Sequence, residues 1–345
     1  MSSPVRRAPA TSSRLTQAVS TWGLLVLLVI LLILFSVLKP DTFPTYFNMR
    51  SIINNKAISA LVALAVFLPM TANHFDLSAG FLLGIVQVLV IGLQGQGLGW
   101  VEASALVVVL GALVGLFNGV LVTVVGIDSF IATLGTGTLL YGFNEWYTGG
   151  QQVVASLPDN FTGLSGVVAG IPLPALYVLV LSLILWIVFE FMPMGRHLYV
   201  LGANPRAAEL NGISARRYVT GAFVAAGATS AFAGIILQSQ LQVGQSSVGQ
   251  EYLLPAFTAA LLGATSIRPG RVNVWGTILA VAVLAVTVAG LNQLGAPFFV
   301  EPIFNGAMLI LAVGLAVTAA KRRIKLSAGT PEIATALPGG HKSSS

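Results

Sequence analysis

The chain has 345 residues, of which 17 are Lys or Arg and 11 Asp or Glu, so 8% carry charge where a soluble domain carries roughly 25%. Hydrophobic residues make up 56% and mean hydropathy is +0.89, which excludes an ordinary soluble enzyme and implies an all-α polytopic integral membrane protein set in a lipid bilayer. The net charge of +6 lies at the ends of apolar blocks, not in an aromatic-interleaved patch, which excludes nucleic acid, and the absence of cysteine excludes disulfides, thiolate metal sites and cysteine nucleophiles.

In chain order, the first block, Trp22 to Leu38, is an unbroken apolar run behind Arg6, Arg7 and Arg14. Lys39, Pro40 and Asp41 follow directly, without a small-residue cleavage site, so it reads as a retained anchor helix. Phe43 to Lys56 reads as a short amphipathic helix along the interface. Further blocks run from about 57 to 72, 77 to 95, 101 to 125, 129 to 146, 172 to 192, 218 to 240, 253 to 267, 273 to 294 and 300 to 320. That predicts about ten transmembrane helices. A crossing needs ~20 residues, so 57 to 72 and 253 to 267 are expected to be tilted, broken or shielded from lipid.

Charge orients these crossings, because Lys and Arg collect in cytoplasmic loops. Arg6, Arg7 and Arg14 precede the first block; Arg196, Arg206, Arg216 and Arg217 lie in the segment 193–217; Arg268 and Arg271 lie near 270; Lys321, Arg322, Arg323, Lys325 and Lys342 end the chain. Both termini are therefore placed in the cytoplasm. The expected organisation is a cytoplasmic tail 1–21, a transmembrane domain 22–320 with a cytoplasmic loop 193–217, and a disordered cytoplasmic tail 321–345. Only Lys39, Arg50 and Lys56 break the pattern, while the outer loops 147–171, 241–252 and 295–299 hold no Lys or Arg. Trp22, Trp100, Trp146 and Trp275 fall at block ends, as interfacial anchors do, with Trp186 an exception.

The loop 193–217 contains its own helix. Asn204 is a good N-cap, Pro205 suits the first helical position, and Gly212 suits the left-handed position after the end, leaving about two turns. The spacing alone fits either a contact element held against the membrane or an ordinary connector.

The stretch Gly195-Arg196-His197-Leu198-Tyr199-Val200-Leu201-Gly202-Ala203-Asn204, with Ala207-Ala208 and Asn211-Gly212-Ile213 after it, resembles the signature loop of permease subunits of ribose-type sugar ABC importers. Phe75-Asp76-Leu77-Ser78-Ala79-Gly80, Ser129-Phe130-Ile131-Ala132-Thr133-Leu134-Gly135 and Leu262-Gly263-Ala264-Thr265-Ser266 resemble three more family motifs in the right order. The departures are His74-Phe75 before Asp76, Asp128-Ser129 for the usual prolines, and Arg268-Pro269-Gly270-Arg271 for a Gly-rich turn. The resemblance implies a bacterial multi-pass cell-membrane protein in which two permease subunits, identical or different, form the pathway. Two cytoplasmic ABC ATPases holding ATP and Mg power it, and an extracytoplasmic sugar-binding protein delivers a pentose or hexose. It further implies that Pro205, Arg206, Ala207, Ala208, Glu209, Leu210 and Asn211, bounded by Asn204 and Gly212, form the helix that seats on the ATPase, with Arg206 and Glu209 as exposed contacts. No phosphate-binding Gly-x-x-x-x-Gly-Lys is present, so the chain is expected to be a transport subunit without its own ATPase site or cofactor.

Asp76 precedes a predicted helix and, with Ser78, is open to two roles: capping that helix or contacting sugar or gate. His74 lies beside it. Gln87, Asn118, Asn144 and Asn292, with Tyr141 and Trp146 nearby, are the polar groups that a neutral sugar needs, although amides also join helices together. The segment from Gln151 to Pro172 is the expected docking surface for a binding protein, with Asp159 a candidate contact. The competing readings are a branched-chain amino acid permease, a proton- or sodium-coupled carrier using Asp76, Asp128 or Glu145, and a membrane enzyme, for which the chain lacks a metal-binding or nucleophile motif.

Overall fold

The structure, a computed structural model, describes residues 11–328 and the side chains of residues 21–314. Arg6, Arg7 and the tail beyond residue 328, expected to be disordered, lie outside the described residues. The elements are α1 (Thr11–Leu38), α2 (Tyr46–Met70), α3 (Ser78–Gly95), α4 (Trp100–Val120, continued by a π-helical turn Leu121–Val125) and α5 (Ser129–Thr148). A short α6 (Asp159–Thr162), a 3-10 turn and a two-residue antiparallel hairpin, β1 (Val167–Val168) with β2 (Ile171–Pro172), lead into α7 (Leu173–Phe191). There follow α8 (Pro193–Ala203), α9 (Pro205–Leu210), α10 (Ala215–Leu241), α11 (Val248–Glu251), α12 (Leu253–Gly263), α13 (Val274–Gln293) and α14 (Val300–Ala328).

Seven helices among the described residues are long and apolar enough to cross a membrane: α1, α2, α3, α4 with its π turn, α7, α10 and α13. The three other blocks expected as crossings correspond to α5, α12 and α14.

At the centre lies α2, buried without interruption from Ala57 to Met70 and surrounded by α10, α12, α13 and α7. Its apolar block is short because protein, not lipid, covers it. The separate interfacial helix expected over Phe43–Lys56 does not exist. Thr45 caps α2, its Oγ1 accepting from the Asn48 amide at 3.2 Å, and no Gly or Pro interrupts the helix until Pro69, so it runs straight into the buried part. Lys56 is held by Glu301 of α14 at 2.9 Å.

Close packing against α10 is made by glycines. A Cβ on Gly111 of α4 would stand 2.6 Å from the Gly227 carbonyl oxygen, one on Gly115 would overlap the Phe223 carbonyl, and one on Gly119 would stand 2.8 Å from the Thr220 Cα. Spaced four apart, these glycines form one stripe that lets the two backbones touch, the means by which apolar helices associate where burial from lipid gains nothing.

The stretch 241–252, expected as an outer loop, instead turns back into the body of the protein. Gly244 pairs with Val153 in an isolated bridge and packs near Ile91, whereas Gly249 lies against Gly80 and Gly84. Between those levels the chain descends α3 by about seven residues, roughly 10 Å. The helix α12 that follows has 11 residues, or roughly 16 Å, about half a ~30 Å hydrocarbon core. Sequence pattern misses this because α11 and its flanks are polar and glycine-rich, the signature of a surface loop. The exceptional Trp186 stacks near Phe191 and Trp275, with ring centroids 5.2 and 6.4 Å away, and so shares the level of a helix-end tryptophan.

Candidate functional site

Pro69 ends α2, Asn73 takes a left-handed φ of 62°, and the linker 71–77 turns the chain into α3. Asp76 is buried in this linker. Its Oδ1 accepts from the Ser78 amide at 3.0 Å and the Ser78 hydroxyl at 2.6 Å, and that hydroxyl accepts from Asn118 Nδ2 of α4 at 2.8 Å. A carboxylate at the start of a helix also meets the positive end of its dipole. From the other side, α5 supplies Ser129 Oγ to the Phe75 amide at 3.1 Å and Thr133 Oγ1 to the Leu77 amide at 3.0 Å. Three helices thus close on one linker through a polar latch. Asn118 keeps a buried Oδ1 without a hydrogen-bond partner.

A second polar group holds the re-entrant segment. Gln87 of α3 donates to the Gln245 carbonyl, and Asn144 of α5 donates to the Ser246 carbonyl at 3.1 Å. Gln238 of α10, in the amide orientation that satisfies both its ends, donates to Gln87 Oε1 at 2.7 Å and accepts from the Val243 amide at 3.2 Å. Irregular backbone at this depth needs such partners, since lipid offers none. Asn144 also retains an unpartnered buried Oδ1.

The structure therefore brings Asp76, Ser78 and Asn118 together, and separately Gln87 and Asn144. It separates the rest. His74 lines a cavity that Asp76 does not, its ring 6.3 Å from that of Phe223. Tyr141 lies one turn from Glu145 on α5, Asn292 is exposed near the end of α13, and Asp159 is exposed on α6. Sequence alone does not single out Ser129, Thr133 and Gln238, because hydroxyls and amides in apolar blocks are too common to point to a partner. Among the described residues, no three His, Asp or Glu gather to hold a metal ion.

At the end of the molecule reached by the linker, α8 and α9 lie across the helix ends. Asn204 Oδ1 accepts from the Ala207 amide at 3.0 Å, Pro205 takes the first helical position, and Gly212 has a φ of 76°. Asn211 Nδ2 donates back to the Ala207 carbonyl at 2.8 Å. Ala208 is buried and Ala207 half-buried, while Arg206, Glu209 and Leu210 face outward, Leu210 being 79% exposed.

Beside α8, Glu190 at the end of α7 meets Arg268 at 2.5 Å and Arg271 at 3.9 Å. The Arg271 guanidinium lies 4.4 Å from the centre of the Tyr199 ring, and the Tyr199 hydroxyl donates to the Val272 carbonyl at 2.9 Å. Burial pushes the Tyr199 phenol up to about 12, against the opposing pull of Arg271. Burial likewise lowers His74 from its ordinary 6.5, with Asp128 opposing, so the imidazole is neutral at pH 7.

Residues 48–313 match the family described as branched-chain amino acid transport system / permease component. The chain is 34% identical to the ribose import permease protein of Bacillus subtilis, over 83% of this chain and 89% of that one. It is 31% identical to the autoinducer 2 import system permease protein of an Enterobacter species, over 84% and 90%, and 26% identical to the D-allose transport system permease protein of Escherichia coli, over 85% and 90%. No solved structure matches the chain. A polytopic helical chain with these motifs in this order, aligned with a ribose import permease over 83% of its length, belongs to the family of permease subunits of ribose-type ABC importers.

Proposed function

We propose that this protein is the membrane-spanning subunit of an ATP-driven importer and forms the pathway for a monosaccharide, a ribose-like pentose or a hexose, delivered by an extracytoplasmic binding protein. The observation that carries the reading is the 34% identity to a ribose import permease over 83% of the chain. In this reading α9 seats on a cytoplasmic ATPase, which binds ATP and Mg, while a second permease subunit completes the pathway and the outer segment with α6 and Asp159 receives the binding protein. The charge pattern supports ten crossings with the α9 end and both termini in the cytoplasm.

The chemistry of the buried polar groups favours a neutral solute. Asn118, Asn144, Gln87 and the hydroxyls of Ser78, Ser129 and Thr133 are uncharged donors and acceptors, and Asp76 is taken up by Ser78. A branched-chain amino acid would want a cation for its carboxylate and an anion for its ammonium. A gradient-driven carrier is disfavoured because Asp76 is committed to Ser78 and Asp128 to the α5 cap, where it accepts from the Phe130 amide at 3.0 Å.

The test is affinity capture of the tagged, detergent-solubilised protein from its native cells. An ABC ATPase is expected to co-purify and to be lost when residues 204–212 are scrambled; capture of an intact, sugar-binding protein that never retains an ATPase, even after crosslinking, would overturn the reading.

A further inference from the structure

An apolar cleft of about 350 Å³ opens between α1 and α7, with α2 and α13 behind it. Alanines make the room: Ala57, Ala60, Ala175, Ala282 and Ala285 line it where larger side chains would close it. Ala57, Ala60 and Ala285 are buried, whereas Ile53 and Leu179 at the mouth are 52% and 47% exposed. The cleft is thus a recess open to whatever surrounds the protein. From Met49 to Ala60 on α2 and from Trp275 to Val286 on α13 its walls run roughly 16 Å, about the depth of one leaflet of a ~30 Å hydrocarbon core.

All four helices are long and apolar enough to cross a membrane, so the recess opens at the depth of hydrocarbon. Left empty there, its walls would forfeit their dispersion contacts. Its polar wall groups are the Lys56 ammonium, the Ser182 hydroxyl and the Trp275 indole, too few for a sugar, whose hydroxyls each need partners. An acyl chain needs none.

The end of the cleft at Met49 is also where the charge of the chain departs from its general pattern. Lys39 follows α1, and Phe43 in the same turn packs with Val286, Met49 and Ile52. The carboxylates at this end are Asp41, exposed in that turn, and Glu301, which Lys56 takes up. Arg50 lies one helical turn before Ile53, and so beside the mouth; it is half-buried and makes no ion pair among the described residues.

We propose that this cleft binds one acyl chain of an anionic phospholipid, with the phosphate held at Arg50 and the chain laid along α2 and α13 between α1 and α7. Basic residues at the membrane surface attract anionic headgroups, and Lys39 adds to the same field. The site gives Arg50 the anion that no side chain supplies, and it does not depend on which solute the protein carries.

The test is native mass spectrometry of the full-length, detergent-purified protein titrated with phosphatidylglycerol and, separately, with phosphatidylcholine. One phosphatidylglycerol per chain is expected to be retained in preference to phosphatidylcholine, and Arg50→Gln is expected to weaken it about fivefold while leaving phosphatidylcholine unchanged. A phosphatidylglycerol with a photoreactive group at mid-chain is expected to label cleft residues of α1, α2, α7 or α13, and Ala282→Phe, which fills the recess, is expected to lose that label. If Ala282→Phe is not recovered folded, Ala175→Leu is expected to reduce the label several-fold. Label scattered over the helices and unchanged in the filled variants would overturn the proposal, as would equal retention of both lipids by the wild type and Arg50→Gln. So would a high-yield disulfide between two copies of Ile53→Cys in membranes, which would show that protein, not lipid, covers the cleft.

Discussion

Asp76 joins the linker to the start of α3 through Ser78, and its removal is costly. Asp76→Ala strands the Ser78 amide and hydroxyl in a buried site, which costs about 1–3 kcal/mol per unsatisfied group, and the solubilised protein should melt at a correspondingly lower temperature. Asp76→Asn, which keeps an acceptor oxygen, should lose less. At the surface, Asn204→Ala removes a helix cap worth about 1 kcal/mol, and under the proposal that α9 seats on an ATPase, less of that ATPase should be retained on capture. His74 gives a pH dependence. Its folded pKa lies below the ordinary 6.5, so below about that pH the unfolded chain takes the proton first and stability falls with acidification. Thermal melts at pH 5.5 and 7.5 should show the loss, and His74→Gln should reduce it. Asp76, Ser78, Gln87, Asn118 and Asn144 are legible in the sequence as polar groups at or inside apolar blocks, whereas Gln238, Asn273 and most of the buried hydroxyls are not. The partners of the former are not legible either. That Asn118 reaches Ser78, or that Gln87 and Asn144 grip the same re-entrant strand of backbone, depends on how α3, α4 and α5 lie together, which no spacing along the chain encodes.

Among the elements, the long apolar helices are legible because an apolar run of about twenty residues has few ways to be satisfied besides spanning a bilayer. The shorter elements between them are less so. Helix α8 lies in a segment that reads as a loop, and its only local signals are Pro193 at the first helical position and glycines at 195 and 202. The N-terminal half of α2 reads as a separate interfacial helix because it carries Arg50 and Lys56, yet nothing in its backbone interrupts the helix. Re-entrance of 242–252 rests on Gly249 meeting Gly80 and Gly84. Gly249→Leu adds bulk where a Cβ already overlaps the Gly80 carbonyl, and about 1–3 kcal/mol or more of destabilisation is expected in a denaturation series. The same substitution at Gly163, where nothing lies within 4 Å of an added Cβ, should be far milder and serves as the control.

Across the whole molecule, the distribution of Lys and Arg is expected to set the orientation of the crossings. The structure in turn explains one cation that violates it, since Lys56 is paired with Glu301 and ties α2 to α14. Lys56→Met or Glu301→Gln alone leaves a half-buried charge without its partner, so the double variant is expected to be more stable than the sum of the two single losses implies, as a double-mutant cycle of melting temperatures would measure. The family is legible from four short motifs, and the overall packing is not, because glycine stripes report that helices approach closely without saying which helices.

The re-entrant segment has a consequence for how the protein is made. As the ribosome delivers the chain, residues 242–263 arrive with polar backbone that lipid cannot satisfy and with a helix about half the thickness of the membrane. Their partners, Gln87 on α3 and Asn144 on α5, are synthesised 158 and 102 residues earlier than the carbonyls they hold. This stretch is poorly suited to lipid on its own and is expected to settle only once α3 and α5 are in place to satisfy it, which makes its insertion depend on helices made long before it.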